Sequence, residues 1–201
     1  DGPIKPTPVI GVIGLIDKKP LKIQKINSGD SLIMVGDTKD ELGGSEYSEY
    51  IHKFIGGKCP AVDFSESKKN MNSVLDAIEN ELIKSAHDCS KGGLSIAISE
   101  LCMINQIGCN VSLEKIPGEK LDSDKILFSE SHSRYLLTIE NKNLSKLEET
   151  MKKHNVSYSL IGEFTGDSIC FTGDSKPIID LSVDKAQKTW YNSLKEMVLH
   201  A

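Results

Sequence analysis

Short apolar runs alternate with amphipathic segments along this chain, and the pattern predicts a mixed α/β domain. The apolar runs at residues 9–16 and 31–35 are short enough to be buried strands. After the capping residue Asp63 or Ser65, apolar positions recur at helical spacing as far as Ile83. The same patterns predict further strands and helices: strands at 108–113, 135–139, 157–163, 168–172 and 177–181, and helices up to Phe54, from Leu94, at 144–154 and at 185–198.

One polar loop interrupts this pattern just before the helix that begins near Leu94. Asp88 and Ser90 are followed by Gly92 and Gly93, and the N–H groups of a helix N-terminus favour anions and nucleotide phosphates. Asp88 adds a hard oxygen ligand of the kind that Mg²⁺ needs. The sequence therefore predicts a phosphate contact at Ser90, Gly92 and Gly93 and a metal ligand at Asp88. The alternative is a helix N-cap followed by a glycine turn.

Two further loops have a similar composition. Gly43, Gly44 and Ser45 offer backbone N–H groups and a hydroxyl at a helix start. Ser131 is followed by Arg134, the sole arginine among 24 basic residues, and a guanidinium binds phosphate through two parallel bonds. An Arg134 paired with a neighbouring glutamate is the alternative. Together the three loops predict a phosphorylated ligand with Mg²⁺, although none matches the Walker or Rossmann pattern.

Composition narrows the classes of function. The net charge of −5 leaves no basic surface of the kind that binds nucleic acid, and no apolar run is long enough to predict a membrane span. The five cysteines are scattered and odd in number, which is typical of reduced thiols and favours a cytoplasmic location. Glu46 and Glu130 have the chemistry of acid–base groups, but nothing in the sequence pairs them, so no catalytic residue is assigned.

Four motifs in this order resemble the second half of the phosphoribosylformylglycinamidine synthases. They are Pro-Thr-Pro-Val-Ile-Gly at 6–11, Glu-Leu-Gly-Gly-Ser-Glu-Tyr at 41–47, Ala-His-Asp-Cys-Ser-Lys-Gly-Gly-Leu at 86–94 and Leu-Phe-Ser-Glu-Ser-His-Ser-Arg at 127–134. The wider superfamily includes aminoimidazole ribonucleotide synthase, thiamine-monophosphate kinase and selenophosphate synthetase. The resemblance implies the C-terminal domain of the aminoimidazole ribonucleotide synthase-like fold. We expect a two-layer arrangement, with a mixed sheet and helices on one face.

The resemblance also implies an ATP-dependent ligase of purine synthesis. ATP phosphorylates the formamide oxygen of formylglycinamide ribonucleotide, and ammonia then displaces phosphate to form the amidine. By analogy, Asp88 is a Mg²⁺ ligand and Ser90 contacts the ATP or ADP. Ser131 and Arg134 lie in a loop whose counterpart in the first half contacts substrate. The implied partners are the remainder of the synthase chain, a glutaminase subunit and a small accessory subunit.

One departure from the family keeps two other functions open. Lys91 stands where the family usually has aspartate, which places a positive charge beside the proposed metal. This favours a non-catalytic structural half that completes the synthase core and docks partner subunits. A sister kinase or synthase of the same superfamily is the third possibility.

The resemblance also predicts how the chain is divided. We expect 1–16 to be the terminal strand of a missing preceding domain, 17–40 a connecting segment and 41–201 the C-terminal domain. An apolar edge strand at 1–16 predicts a homodimer formed through it. The fragment alone is expected to be inactive.

Overall fold

A seven-stranded mixed sheet forms the centre of the part of the chain that the computed structural model describes, residues 8–16 and 25–199. The strand order is β2-β4-β1-β5-β3-β6-β7. The strands are β1 (Ser31–Val35), β2 (Ser85–Asp88), β3 (Cys109–Ser112), β4 (Tyr135–Ile139), β5 (Tyr158–Phe164), β6 (Ser168–Gly173) and β7 (Lys176–Ser182). The helices are α1 (Glu46–His52), α2 (Phe64–Glu79), α3 (Gly93–Asn105), α4 (Ser123–Phe128), α5 (Leu144–His154) and α6 (Val183–Leu199), with short 3₁₀ turns at Leu113–Lys115 and Asn141–Asn143.

The central strand β1 is buried on both of its faces. It pairs antiparallel with β4 and with β5. Leu32 and Met34 belong to the apolar cluster formed with α3, α4 and α6, whereas Ile33 and Val35 belong to the cluster formed with α2 and α5. Because successive side chains of a strand point to opposite faces, a β1 that is apolar from Leu32 to Val35 needs cover on both sides. The mixed α/β class is confirmed, but helices cover both faces here rather than one.

Most of the predicted elements lie where the apolar pattern placed them. The helix predicted at 144–154 is α5, and Asp63 rather than Ser65 caps α2, because its Oδ1 accepts a hydrogen bond from the Glu66 N–H at 2.9 Å. A helix N-terminus leaves such N–H groups without partners inside the helix, and a carboxylate satisfies one of them.

The expected division of the chain differs from the structure at one boundary. Because β1 lies in the middle of the sheet, the domain begins before residue 41, and 17–40 is not only a connecting segment. Residues 8–16 form neither helix nor strand, and their apolar side chains are exposed, with Ile16 at 72% and Ile13 at 101%. Residues 1–7 and 17–24 lie outside the described residues. That 1–16 is a strand of another domain stays a prediction.

A buried ion pair joins the segments that lead into β1 and β2. The Lys84 ammonium lies 2.6 Å from Oδ2 of Asp30, and both side chains are 7% exposed. The same carboxylate oxygen accepts a hydrogen bond from the Asn27 N–H at 2.7 Å. Since a buried charge is tolerated only when it is paired, each of the two residues requires the other.

The helices of residues 8–16 and 25–199 include none with the length and apolar character to span a bilayer.

Candidate functional site

Two of the three polar loops meet at one end of strands β2 and β4. Asp88 ends β2 and pairs in register with Tyr135, the first residue of β4. A cavity of about 430 Å³ opens beside this pair. Its lining comes from the two loops, from β4 and from one residue before α2: Val62, Asp88, Cys89, Ser90, Lys91, Glu130, His132, Ser133, Arg134 and Tyr135. The structure thus brings Asp88, Ser90 and Arg134 to one cavity; their contact with a ligand stays a prediction.

The Asp88 side chain is the free carboxylate of this cavity. Asp88 and Ser90 are both exposed. Within the described part of the chain, the Asp88 carboxylate has no hydrogen-bond or ion-pair partner. It is therefore available to an incoming cation, and the Ser90 hydroxyl is available to a ligand oxygen.

The glycine pair shapes the start of α3. Gly92 is the N-cap residue with φ +77°, and Gly93 has φ +66°, a backbone region that residues with a Cβ rarely adopt. A Cβ on Gly93 would lie 2.5 Å from the backbone oxygen of Ser129 and 2.9 Å from that of Leu127. The glycines therefore provide a turn and let α3 begin directly against the loop that precedes β4.

Glu130 connects the N-termini of two helices. Its Oε1 accepts hydrogen bonds from the Gly92 N–H at 2.9 Å and from the Glu46 N–H at 3.0 Å. A carboxylate is favoured there because free N–H groups and the helix dipole make a helix N-terminus positive. The Gly92 N–H, predicted to bind phosphate, thus donates to the chain's own carboxylate. Sequence reasoning considered Glu130 only as an acid–base candidate, because the partners of a cap lie far away along the chain.

Arg134 is buried and holds the shape of its own loop. Nε donates to the backbone oxygen of Ser131 at 2.9 Å, Nη1 to Oγ1 of Thr38 at 3.1 Å, and Nη2 to the backbone oxygen of Ser129. Burial lowers the pKa of the Arg134 guanidinium. The structure gives Arg134 no ion pair with a glutamate of the described residues, so the alternative considered from the sequence is not what is found. Two carbonyl oxygens and one hydroxyl oxygen therefore accept from the guanidinium that was predicted to bind phosphate.

Ser131 and Ser45 are likewise engaged with backbone groups. The buried Ser131 Oγ accepts from the Lys39 N–H at 3.1 Å, which ties its loop to the segment after β1. The buried Ser45 is the N-cap of α1: its Oγ accepts from the Ser48 N–H at 3.2 Å and donates to the Leu42 oxygen at 2.7 Å. The Ser131 hydroxyl thus positions the loop that lines the cavity, and the Ser45 hydroxyl positions the start of α1.

The Gly43–Gly44 pair packs against another stretch of backbone. A Cβ on Gly43 would lie 2.1 Å from the backbone oxygen of Lys58, and the Gly44 N–H donates to the Gly56 oxygen at 2.8 Å. Neither glycine lines the cavity. Their loop is connected to it through α1, whose first N–H group binds Glu130.

Lys91 does not place a free positive charge beside Asp88. Its ammonium lies 2.7 Å from Oε1 of Glu46, and this hydrogen bond raises the pKa of Lys91. Both side chains are exposed, so the pair is weak. The departure from the family pattern at this position is therefore balanced locally by Glu46.

Cys89 lies inside the loop but is not an activated nucleophile. It is buried, and burial raises the pKa of its thiol to about 11. The thiolate, which is the nucleophilic form, is thus disfavoured near neutral pH. This agrees with a packing role.

The donor set fits one kind of metal. No group of three or more His, Cys, Asp or Glu side chains that could hold a metal ion occurs within 8–16 and 25–199. Mg²⁺ is commonly held by one or two carboxylates, water and substrate phosphates. The single free carboxylate of Asp88 therefore fits a Mg²⁺ ion that arrives with a phosphorylated ligand, and does not fit a metal caged by protein alone.

The chain belongs to the family of AIR synthase related proteins, in which it represents the C-terminal domain, because residues 27–172 match that family. It is similar to phosphoribosylformylglycinamidine synthase subunit PurL of Thermococcus sibiricus, with 36% identity over 201 residues, 98% of this chain and 27% of that one. PurL of Alkaliphilus metalliredigens is 33% identical over 196 residues, 96% of this chain and 26% of that one. The chain thus spans about a quarter of the length of these relatives.

Solved structures share the fold. The complex of Thermotoga maritima PurL with FGAR superposes with a TM-score of 0.75 at 19% identity, covering 83% of this chain and 29% of that chain. Escherichia coli HypE, a hydrogenase maturation protein, gives 0.58 at 15% identity, covering 83% and 52%. The synthase-like fold and the resemblance to PurL are confirmed.

Proposed function

We propose that this domain contributes a nucleotide and Mg²⁺ site to an ATP-dependent ligase that converts formylglycinamide ribonucleotide to formylglycinamidine ribonucleotide in purine synthesis. The observation that carries the proposal is the cavity at the start of α3, which holds an unpaired carboxylate and an exposed hydroxyl. The similarity to PurL over nearly the whole chain supports it, and T. maritima PurL forms complexes with ATP and with ADP.

Asp88 and Ser90 are the residues that meet the ligand in this proposal. When bound, Mg²⁺ would neutralise the phosphate charge and orient the phosphates. Asp88 provides the carboxylate that holds the ion, and Ser90 donates its hydroxyl to a phosphate oxygen. Arg134 and Ser131 keep the opposite loop in place through the bonds described above. We place no catalytic residue in this chain.

A non-catalytic structural half is the second candidate, and a specific observation favours it. Arg134 donates to the Thr38 hydroxyl and Ser45 to the Leu42 oxygen, the Ser131 hydroxyl accepts from the Lys39 N–H, and Lys91 pairs with Glu46. In that case the domain completes the synthase core and docks the glutaminase subunit and a small accessory subunit. A PurLQS structure exists for T. maritima. A sister kinase or synthase is the third candidate, since HypE has the same fold.

Calorimetric titration of Mg·ADP into the complete protein that carries this domain tests the proposal. Asp88→Ala and Ser90→Ala are compared with wild type, and Asp180→Ala, an exposed carboxylate on β7, is the control. Loss of one binding site with catalysis retained identifies an auxiliary site. Loss of catalysis as well places these residues in, or coupled to, the catalytic centre. Unchanged binding in both variants would contradict the proposal and leave a helix cap beside a glycine turn.

We also propose that residues 9–16 pair between copies of the chain. Their exposed apolar side chains have the character of an unpaired strand. Sedimentation equilibrium is expected to show a dimer that Ile13→Asp converts to a monomer. A wild-type chain that stays monomeric at high concentration would contradict this.

The five free cysteines support a cytoplasmic location.

A further inference from the structure

The Glu130 carboxylate lies where the three loops meet, and the proposed function gives it no role. Oε1 accepts from the N–H of Gly92, the N-cap residue of α3, and from the N–H of Glu46, the first residue of α1. The backbone of this residue is also held, because the Glu130 N–H donates to the Glu41 oxygen at 3.1 Å and the preceding Ser129 oxygen accepts from Arg134. Hydrogen bonds therefore hold both the carboxylate and the backbone of Glu130, which lines the cavity that contains Asp88.

The charges around the cavity are arranged against a bare anion. Asp88 and Glu130 both present carboxylates on its lining. Of the two lining cations, Lys91 pairs with Glu46, and the Arg134 guanidinium is buried and donates to carbonyl groups of its loop. The N–H group at the start of α3 that would attract phosphate already has an anionic acceptor. A polyphosphate entering alone meets two negative charges and one occupied donor.

We propose that Glu130 is a specificity-determining positioning residue that makes the cavity accept a polyphosphate only together with a divalent cation. It holds the starts of α1 and α3 in place, and it occupies the anion position at α3, so the ligand must bring its own positive charge to bind beside Asp88. This inference rests on the proposed function, because it concerns the same cavity. The ligand class that follows is a nucleoside polyphosphate complexed with Mg²⁺ rather than a free phosphate or a metal-free nucleotide.

The test is the dissociation constant of ADP, measured by calorimetry with Mg²⁺ and again with EDTA. Glu130→Gln keeps an oxygen that can accept both N–H groups and removes the charge. The ratio of the EDTA value to the Mg²⁺ value is expected to fall about 5- to 10-fold in this variant, through tighter binding of metal-free ADP. Glu119→Gln is the matched control, because Glu119 also accepts from a backbone N–H, that of Asp40 at 3.4 Å, but lies outside the cavity. Its ratio is expected to equal that of wild type.

An unchanged or increased ratio in Glu130→Gln would overturn the inference; weaker binding under both conditions would overturn it too. If wild type binds no ADP under either condition, the proposed function fails. The inference then fails with it, because the cavity accepts no polyphosphate even with its cation; if wild type does bind Mg·ADP, an unchanged ratio in Glu130→Gln overturns the inference alone. Should Glu130→Gln not fold, as judged by circular dichroism, Glu130→Ser is titrated in the same way with the same criteria.

Discussion

Replacing Gly93 with alanine tests whether the close contact between α3 and the loop before β4 maintains the site. The added Cβ would lie 2.5 Å from the Ser129 oxygen and 2.9 Å from the Leu127 oxygen, and φ is +66°. A left-handed φ destabilises a residue with a Cβ, whereas alanine also lowers the conformational entropy of the unfolded chain. The sum of the two effects is a loss of roughly 1 kcal/mol. Displacing backbone atoms adds about 1–3 kcal/mol, because the oxygens cannot move without their loop. We expect a loss of about 2–4 kcal/mol in the free energy of unfolding.

Gly166→Ala is the matched control for this change. Gly166 has nearly the same φ, +65°, but a Cβ there would meet no atom within 4 Å. Urea unfolding monitored by circular dichroism should therefore give a loss of about 1 kcal/mol for Gly166→Ala, equivalent to a Tm decrease of about 2–4 °C. The difference between the two variants measures the contact alone. Equal losses would refute the reasoning, since they would show that the loop moves freely and does not depend on Gly93.

Three further changes test other parts of the structure. Arg134→Lys should lower the free energy of unfolding by about 2–4 kcal/mol, because an ammonium cannot replace the three hydrogen bonds of the guanidinium. A loss below about 1 kcal/mol in urea unfolding would contradict the role of Arg134 in holding its loop. Lys84→Met should lower the free energy of unfolding by about 3–5 kcal/mol, since Asp30 remains buried without its cation. In the same assay, the double variant Lys84→Met/Asp30→Leu should be less destabilised than Lys84→Met. Hydrogen bonds from Lys153 and, second, His154 lower the pKa of Asp76, so the Asp76 carboxylate stabilises the fold above its unfolded pKa, and this stabilisation is lost as pH falls through the lower folded pKa. The stability of Asp76→Asn should therefore fall less steeply with acid below about pH 4, and an acid transition equal to that of wild type would contradict this.

Some features of the fold follow from local sequence alone. The helical spacing of apolar residues was sufficient to place α2 and α5, and a short apolar run placed β4. The Asp88 loop was recognisable because a carboxylate, a hydroxyl and two glycines precede an apolar helix. In the structure this loop lines the cavity, and its contact with a ligand stays a prediction.

The residues that surround the site required the tertiary structure. Arg134 and Ser131 have the chemistry of phosphate ligands, but each is engaged with a segment distant along the chain. Nη1 of Arg134 donates to the Thr38 hydroxyl, and Oγ of Ser131 accepts from the Lys39 N–H. Glu130 could not be recognised as a bridge, because its partners lie 38 and 84 residues away. Likewise, an apolar β1 indicates a strand covered on both faces, but only the two apolar clusters of the folded chain show which helices cover each face. Sequence by itself determined the elements and the family, since these depend on local pattern and motif. The tertiary structure decided which polar groups the chain uses for itself, because a hydrogen bond has a partner only after folding brings distant segments together.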